Sequence, residues 1–276
     1  MKIVLLIVIA ALILPLYAYY RFAMRRVNSP HPSYSAVKEV IVIPYKDQKI
    51  YGELVYPKEK KADTLIIGSH GFNGSLIYYR QGLGYRMAQE GVAVYSYDFY
   101  NGSRHSKSGG TIEYMSAIDE KEQLETVFEY FKDKYKNIVL AGESQGGLVT
   151  TLALNDIQDQ VKAAILYYPA YVAVDHAKQR MQDGSNTLFK ITFKSEYTKE
   201  LASIDLDKMI ENINVPTILI HGDKDRTVDV SYAYKAKELN PKIELHIIKD
   251  NDHGFTQNGR VEASGYVSEF MKNLNL

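Results

Sequence analysis

From residue 64 onward the chain alternates between two kinds of segment, and this alternation constrains its fold more than any other feature. Short runs of β-branched and aliphatic residues recur at 64–69, 92–97, 138–141, 163–168, 217–221 and 243–248. Segments with helical spacing of apolar residues lie between or after them, at 82–90, 117–132, 145–154, 231–239 and 261–273. Strands that alternate with helices imply parallel pairing, since the chain must cross back over the sheet between neighbours and a helix makes that crossing. Two earlier runs, at 40–43 and 50–55, are joined by a turn at 46–48 and read as an antiparallel hairpin at the sheet edge. The expectation is an α/β fold, a mostly parallel eight-stranded sheet with helices on both faces. The interval between residues 168 and 216 has helical and turn character, no strong strand, and too much length for a simple connection. It reads as a helical cap insertion at about 170–214, lying over one end of the sheet.

The amino-terminal segment has a different character. Residues 3–20 form an apolar run without a charged side chain, preceded by Lys2 and followed by Arg21, Arg25 and Arg26. At about 1.5 Å per helical residue such a run is just long enough for a hydrocarbon core of about 30 Å. An N-terminal hydrophobic helix, a transmembrane or signal anchor over residues 1–27, is the expectation, and a cleaved signal peptide leading to secretion is the alternative. Ala18 could precede such a cut, although Leu16 is large for the usual cleavage pattern. Lys2 and the terminal amine oppose the three arginines, so the membrane side stays open. Pro30 and Pro32 make residues 28–37 an extended linker to one folded domain at 38–276. Lysine plus arginine equals aspartate plus glutamate, 33 each, so no basic excess points to a nucleic-acid partner. Cysteine is absent, which excludes disulfides, a thiol nucleophile and cysteine-ligated metals. Oligomeric state stays open.

Gly142-Glu143-Ser144-Gln145-Gly146 follows one strand-like run and opens a helical one. A serine on a sharp strand-to-helix turn is forced into a strained backbone that lifts its hydroxyl clear of the sheet, and small neighbours let strand and helix approach. Serine needs a base within hydrogen-bond reach and a group that orients the base. Seven histidines compete. His253 stands in a polar turn after the last strand, where the carboxyl end of a parallel sheet presents it beside Ser144. His221 and His246 fall within strands and read as structural, and His31 lies in the linker. Asp225, after the preceding strand, is the expected acid, so the chain order is Ser, Asp, His. Attack on a carbonyl also requires donors for the oxyanion. The backbone N–H of Gln145, next to the serine, is one; the N–H of Phe72, in the glycine-rich loop from Ser69 to Gly74, is the other. His70 reads as a brace for that loop. No metal and no cofactor is expected.

With those residues in place the sequence resembles the α/β-hydrolase superfamily over about residues 38–274. Within it the chain is most similar to the bacterial cinnamoyl and feruloyl esterase branch and the neighbouring monoacylglycerol lipases and serine aminopeptidases. The resemblance rests on His70-Gly71-Phe72, Tyr97-Asp98-Phe99, the stretch from Gly142 to Gly147, Tyr168-Pro169-Ala170, His221 to Val228, and Asp252-His253. It departs after Phe99, where Tyr100-Asn101-Gly102-Ser103-Arg104-His105 replaces the usual pattern around Gly-His-Gly. It implies an α/β-hydrolase fold with the same triad and oxyanion donors, cleaving a small-molecule carboxylic ester. An aminopeptidase or amidase of the same fold, and a catalytically silent membrane-tethered binding module, are the alternatives.

Overall fold

The computed structural model of the chain describes residues 36–79 and 83–276, which fall in one compact unit, Ser35–Leu276. The expected anchor at 1–27, and most of the linker, lie outside the described residues; among these, no helix is long and apolar enough to cross a membrane.

The strands are β1 (Ala36–Tyr45), β2 (Gln48–Pro57), β3 (Thr64–Ser69), β4 (Ala93–Tyr97), β5 (Asn137–Glu143), β6 (Ala163–Tyr167), a short pair β7 (Thr187–Leu188) and β8 (Ile191–Thr192), β9 (Thr217–Gly222) and β10 (Glu244–Ile248). Eight of them form one sheet in the order β1-β2-β4-β3-β5-β6-β9-β10. β2 runs antiparallel to both β1 and β4, and every pairing from β4 to β10 is parallel. The hairpin turn holds Lys46 at φ 51°, where a left-handed residue matches the twist of the two strands.

The central strands are buried on both faces, which explains their unbroken apolar sequences. On one face Leu65, Ile67, Tyr95 and Leu140 pack with Leu124, Phe128 and Phe131 of the helix α2 (Ala117–Phe131). On the other, Ile66, Val94, Val139 and Ile218 pack with Val267, Phe270 and Met271 of the C-terminal helix α8 (Gln257–Asn273). Ser116 caps α2 by accepting the Asp119 N–H at 3.0 Å, and Thr256 caps α8 by accepting the Gly259 N–H at 3.1 Å. The Thr256 cap lets α8 begin ahead of the first apolar position that its periodicity predicts, Val261. Of the helix expected at 82–90, α1 (Tyr85–Gln89) forms the α-helical part, and residue 82 lies outside the described residues.

Between β6 and β9 lie α4 (Val172–Gln182), α5 (Tyr197–Ala202) and α6 (Leu206–Glu211), with the β7–β8 hairpin after α4. The sequence reading missed that hairpin, because two-residue strands are too short to show any alternation. α3 (Gln145–Ile157) and α7 (Ser231–Leu239) complete the helices that the site depends on.

Candidate active site

Everything in the site hangs from the carboxyl ends of β3, β5, β6, β9 and β10. Ser144 sits between β5 and α3 at φ 50° and ψ −118°, a backbone region that side chains disfavour. The tight turn depends on close contact: a Cβ on Gly142 would stand 2.2 Å from Gly146 O, and one on Gly146 would stand 2.1 Å from Ser69 O. Only glycine permits that approach.

His253 is brought to Ser144 by the loop after β10. Its Nε2 is 3.0 Å from Ser144 Oγ, and its Nδ1 is 2.7 Å from Asp225 Oδ2. An ionised carboxylate only accepts, so the proton resides on Nδ1 and leaves Nε2 free to accept from the serine hydroxyl. The two loops are stitched together on the outside. The Asp252 carboxylate accepts the N–H of Arg226 at 3.0 Å and of His253 at 2.8 Å, and Lys224 N–H donates to Asn251 O at 3.0 Å.

Asp225 is buried, whereas Asp223, two residues before it, is exposed. Its Oδ1 accepts the N–H groups of Thr227 at 2.8 Å and Val228 at 2.9 Å. Burial alone would raise this carboxyl. Hydrogen bonds from His221, His253 and the Val228 N–H outweigh burial and hold it well below the usual carboxylate range. It therefore carries a negative charge behind the imidazole.

Gln145 is the first residue of α3, where a helix leaves the N–H without a partner of its own. The Phe72 ring packs on Phe189 at the tip of the β7–β8 hairpin and on Phe193, with centroids at 5.7 and 6.3 Å. His70 braces the loop below: its Nδ1 donates to Gly71 O at 2.7 Å and its Nε2 accepts the Phe99 N–H at 3.1 Å. Burial lowers the pKa of this imidazole, consistent with a neutral ring used at both nitrogens.

Three neighbours escaped the sequence reading. Glu143 is buried beside the serine, and burial pushes its carboxyl up to about 7. The Tyr168 ring packs on the His253 ring at 4.6 Å. Glu120, buried in α2, accepts from Gln145 Nε2 at 2.5 Å, while Gln145 Oε1 accepts the Tyr197 hydroxyl of α5 at 2.6 Å. Burial raises Glu120 to about 8. Only the position of Glu143 in the Gly-Glu-Ser-Gln-Gly stretch, and of Tyr168 at a strand end, could have signalled them.

A family model described as serine aminopeptidase, S33, matches residues 60–195. Est1E from Butyrivibrio proteoclasticus, solved with ferulic acid bound, is 24% identical at a TM-score of 0.73, covering 85% of this chain and 98% of that one. The esterase Pf2001 from Pyrococcus furiosus is 25% identical at a TM-score of 0.66, covering 89% and 94%. An esterase from Exiguobacterium antarcticum is 16% identical at a TM-score of 0.66, covering 85% and 100%. No curated protein matches the sequence. With its sheet order, its strand-to-helix serine turn and these likenesses, the chain has the α/β-hydrolase fold and is similar to esterases among the solved structures.

Proposed function

We propose that the chain is a serine hydrolase that cleaves small-molecule carboxylic esters through an acyl-enzyme, with Ser144 as nucleophile, His253 as base and Asp225 as the orienting acid. One observation carries this reading: the unbroken line from Asp225 through His253 to Ser144 at 2.7 and 3.0 Å, ending on a strained serine. Ser144 Oγ attacks the ester carbonyl as its proton passes to His253 Nε2, and the Asp225 carboxylate stabilises the imidazolium. The N–H groups of Gln145 and Phe72 receive the oxyanion. Collapse expels the alcohol, which takes the proton from His253. Water then attacks the acyl-serine, giving its proton to His253, and the carboxylic acid leaves as Ser144 recovers its hydrogen.

The S33 description of the matching family model favours a second reading, an aminopeptidase or amidase using the same residues. A panel of p-nitrophenyl esters, hydroxycinnamoyl esters, monoacylglycerols and aminoacyl amides separates the two. Hydrolysis of esters, lost in Ser144→Ala, is the expected result; turnover confined to amides would overturn the ester assignment, and a fluorophosphonate that labels Ser144→Ala as readily as the parent would overturn the nucleophile. We also propose that the run at 3–20 anchors the enzyme in a membrane, with residues 28–37 as the linker. Full-length protein should stay in the membrane pellet through alkaline washing. Recovery of a mature chain starting near Tyr19 would replace the anchor with a signal peptide.

A further inference from the structure

Glu143 occupies a position from which one side chain reaches both halves of the site. Its Oε1 accepts the N–H of Gly71, the residue before Phe72, at 3.2 Å. Its Oε2 accepts the Tyr168 hydroxyl at 2.9 Å. The Tyr168 ring in turn packs on the His253 imidazole at 4.6 Å and meets Phe255 edge-on at 4.8 Å. Tyr168 itself is held at φ 35°, a left-handed backbone that a bulky residue adopts only under constraint. Its N–H is tied to Ile220 O at 2.8 Å, and the bond from its hydroxyl to Glu143 fixes the other end of the side chain.

A carboxylate suits this place because it offers one acceptor oxygen to each of two buried donors, the Gly71 N–H and the Tyr168 hydroxyl. Without it the Gly71 N–H would be left unpaired, and the aromatic ring behind His253 would lose its tether.

Resting on the reading of Ser144 and His253 above, we infer that Glu143 is a positioning residue, whose carboxylate locks the oxyanion loop at Gly71 to the Tyr168 platform behind His253 and so holds donor, nucleophile and base in one register. Its contribution acts on the transition state and not on substrate capture, so its loss falls on kcat and leaves KM nearly unchanged.

Two substitutions separate bridging from charge. Glu143→Gln keeps both links, with its amide oxygen accepting from Gly71 and its NH2 donating to the Tyr168 oxygen. Glu143→Leu keeps the volume and loses both. On the full chain, the rate of Ser144 labelling by a fluorophosphonate and kcat for p-nitrophenyl butyrate should both fall about 30- to 100-fold in Glu143→Leu, with KM within about twofold. Glu143→Gln should stay within about fivefold of the parent, and Tyr168→Phe, which cuts one arm, should fall about three- to tenfold. A folded Glu143→Leu that labels and turns over within about twofold of the parent overturns the inference while leaving the nucleophile assignment intact. So does a Glu143→Gln as impaired as Glu143→Leu. If Glu143→Leu does not fold, Tyr168→Phe with unchanged kcat and labelling overturns it equally. A parent protein that no fluorophosphonate labels at Ser144 removes the underlying reading, and this inference with it.

Discussion

His221 lies directly beneath Asp225, with its Nε2 3.3 Å from Asp225 Oδ2 and 2.9 Å from Val228 O, both side chains fully buried. The imidazole thus serves as one of the donors that hold the carboxyl ionised behind His253. Replacing it with leucine removes the donor and keeps an apolar filling. His221→Leu should lower kcat about tenfold, as expected when an orienting group is loosened but not removed. The stability consequence has a definite sign. Asp225 has a folded-state pKa below its unfolded one, so it contributes stability above about pH 4 and loses it as pH falls through the folded value. Without His221 that contribution shrinks, so the stability gap between parent and variant in urea should be widest near neutral pH and narrow below about pH 4. A gap that stays constant with pH would mean that His221 acts by packing alone.

The choice between the two aspartates after β9 gives a second prediction. Asp225 is buried against His253, and Asp223 is exposed. Asp225→Asn should cost about 10⁴-fold in kcat by favouring the wrong imidazole tautomer, and His253→Ala should cost at least as much. Asp223→Asn should stay within about twofold of the parent, as an exposed substitution away from the chemistry. A larger loss in Asp223→Asn than in Asp225→Asn, with folding intact, would reverse the assignment of the acid.

The line of Ser144, Asp225 and His253 was legible in the sequence because each residue follows a recognisable strand, and parallel strands deliver their carboxyl ends to one edge. The same logic placed the hairpin of β1 and β2 and the long insertion. The bracing groups were not legible. Glu143 meets Gly71 and Tyr168 across 72 and 25 positions of chain, and Gln145 meets Glu120 and Tyr197 across 25 and 52, so their pairings exist only after the sheet is assembled. Glu120 looks in the sequence like an ordinary acidic residue in the first turn of a helix. Periodicity assigns it to a helix but does not say that its carboxyl ends up without solvent.

That burial of Glu120 leads to a third prediction. Its folded-state pKa is raised to about 8, above an unfolded value of about 4.3, so the folded protein binds the proton more tightly and its stability falls as pH rises between those limits. Glu120→Gln removes the titration while its amide oxygen still accepts from Gln145 Nε2. The variant and the parent should melt at similar temperatures near pH 5. By pH 8 the variant should melt several degrees higher, at about 2–4 °C for each kcal/mol. Differential scanning calorimetry across this range is the measurement. A difference independent of pH would show that the carboxyl does not titrate there.

The strained serine supplies the last prediction. At φ 50° and ψ −118° Ser144 stands where a Cβ is costly, by about 1–3 kcal/mol, and where glycine has no such penalty. Ser144→Ala and Ser144→Gly both delete the hydroxyl, so both should be inactive and unlabelled by a fluorophosphonate. They differ in whether the strain survives. Ser144→Ala retains the Cβ and should melt close to the parent. Ser144→Gly relieves the strain and loses about 0.5–1 kcal/mol to the greater freedom of the unfolded chain, so the net gain should be about 1 kcal/mol. For a domain of this size that corresponds to about 2–4 °C in Tm. Equal melting of the two variants would mean that the turn carries no strain to release, and that the serine is presented by the close approach of Gly142 and Gly146 alone.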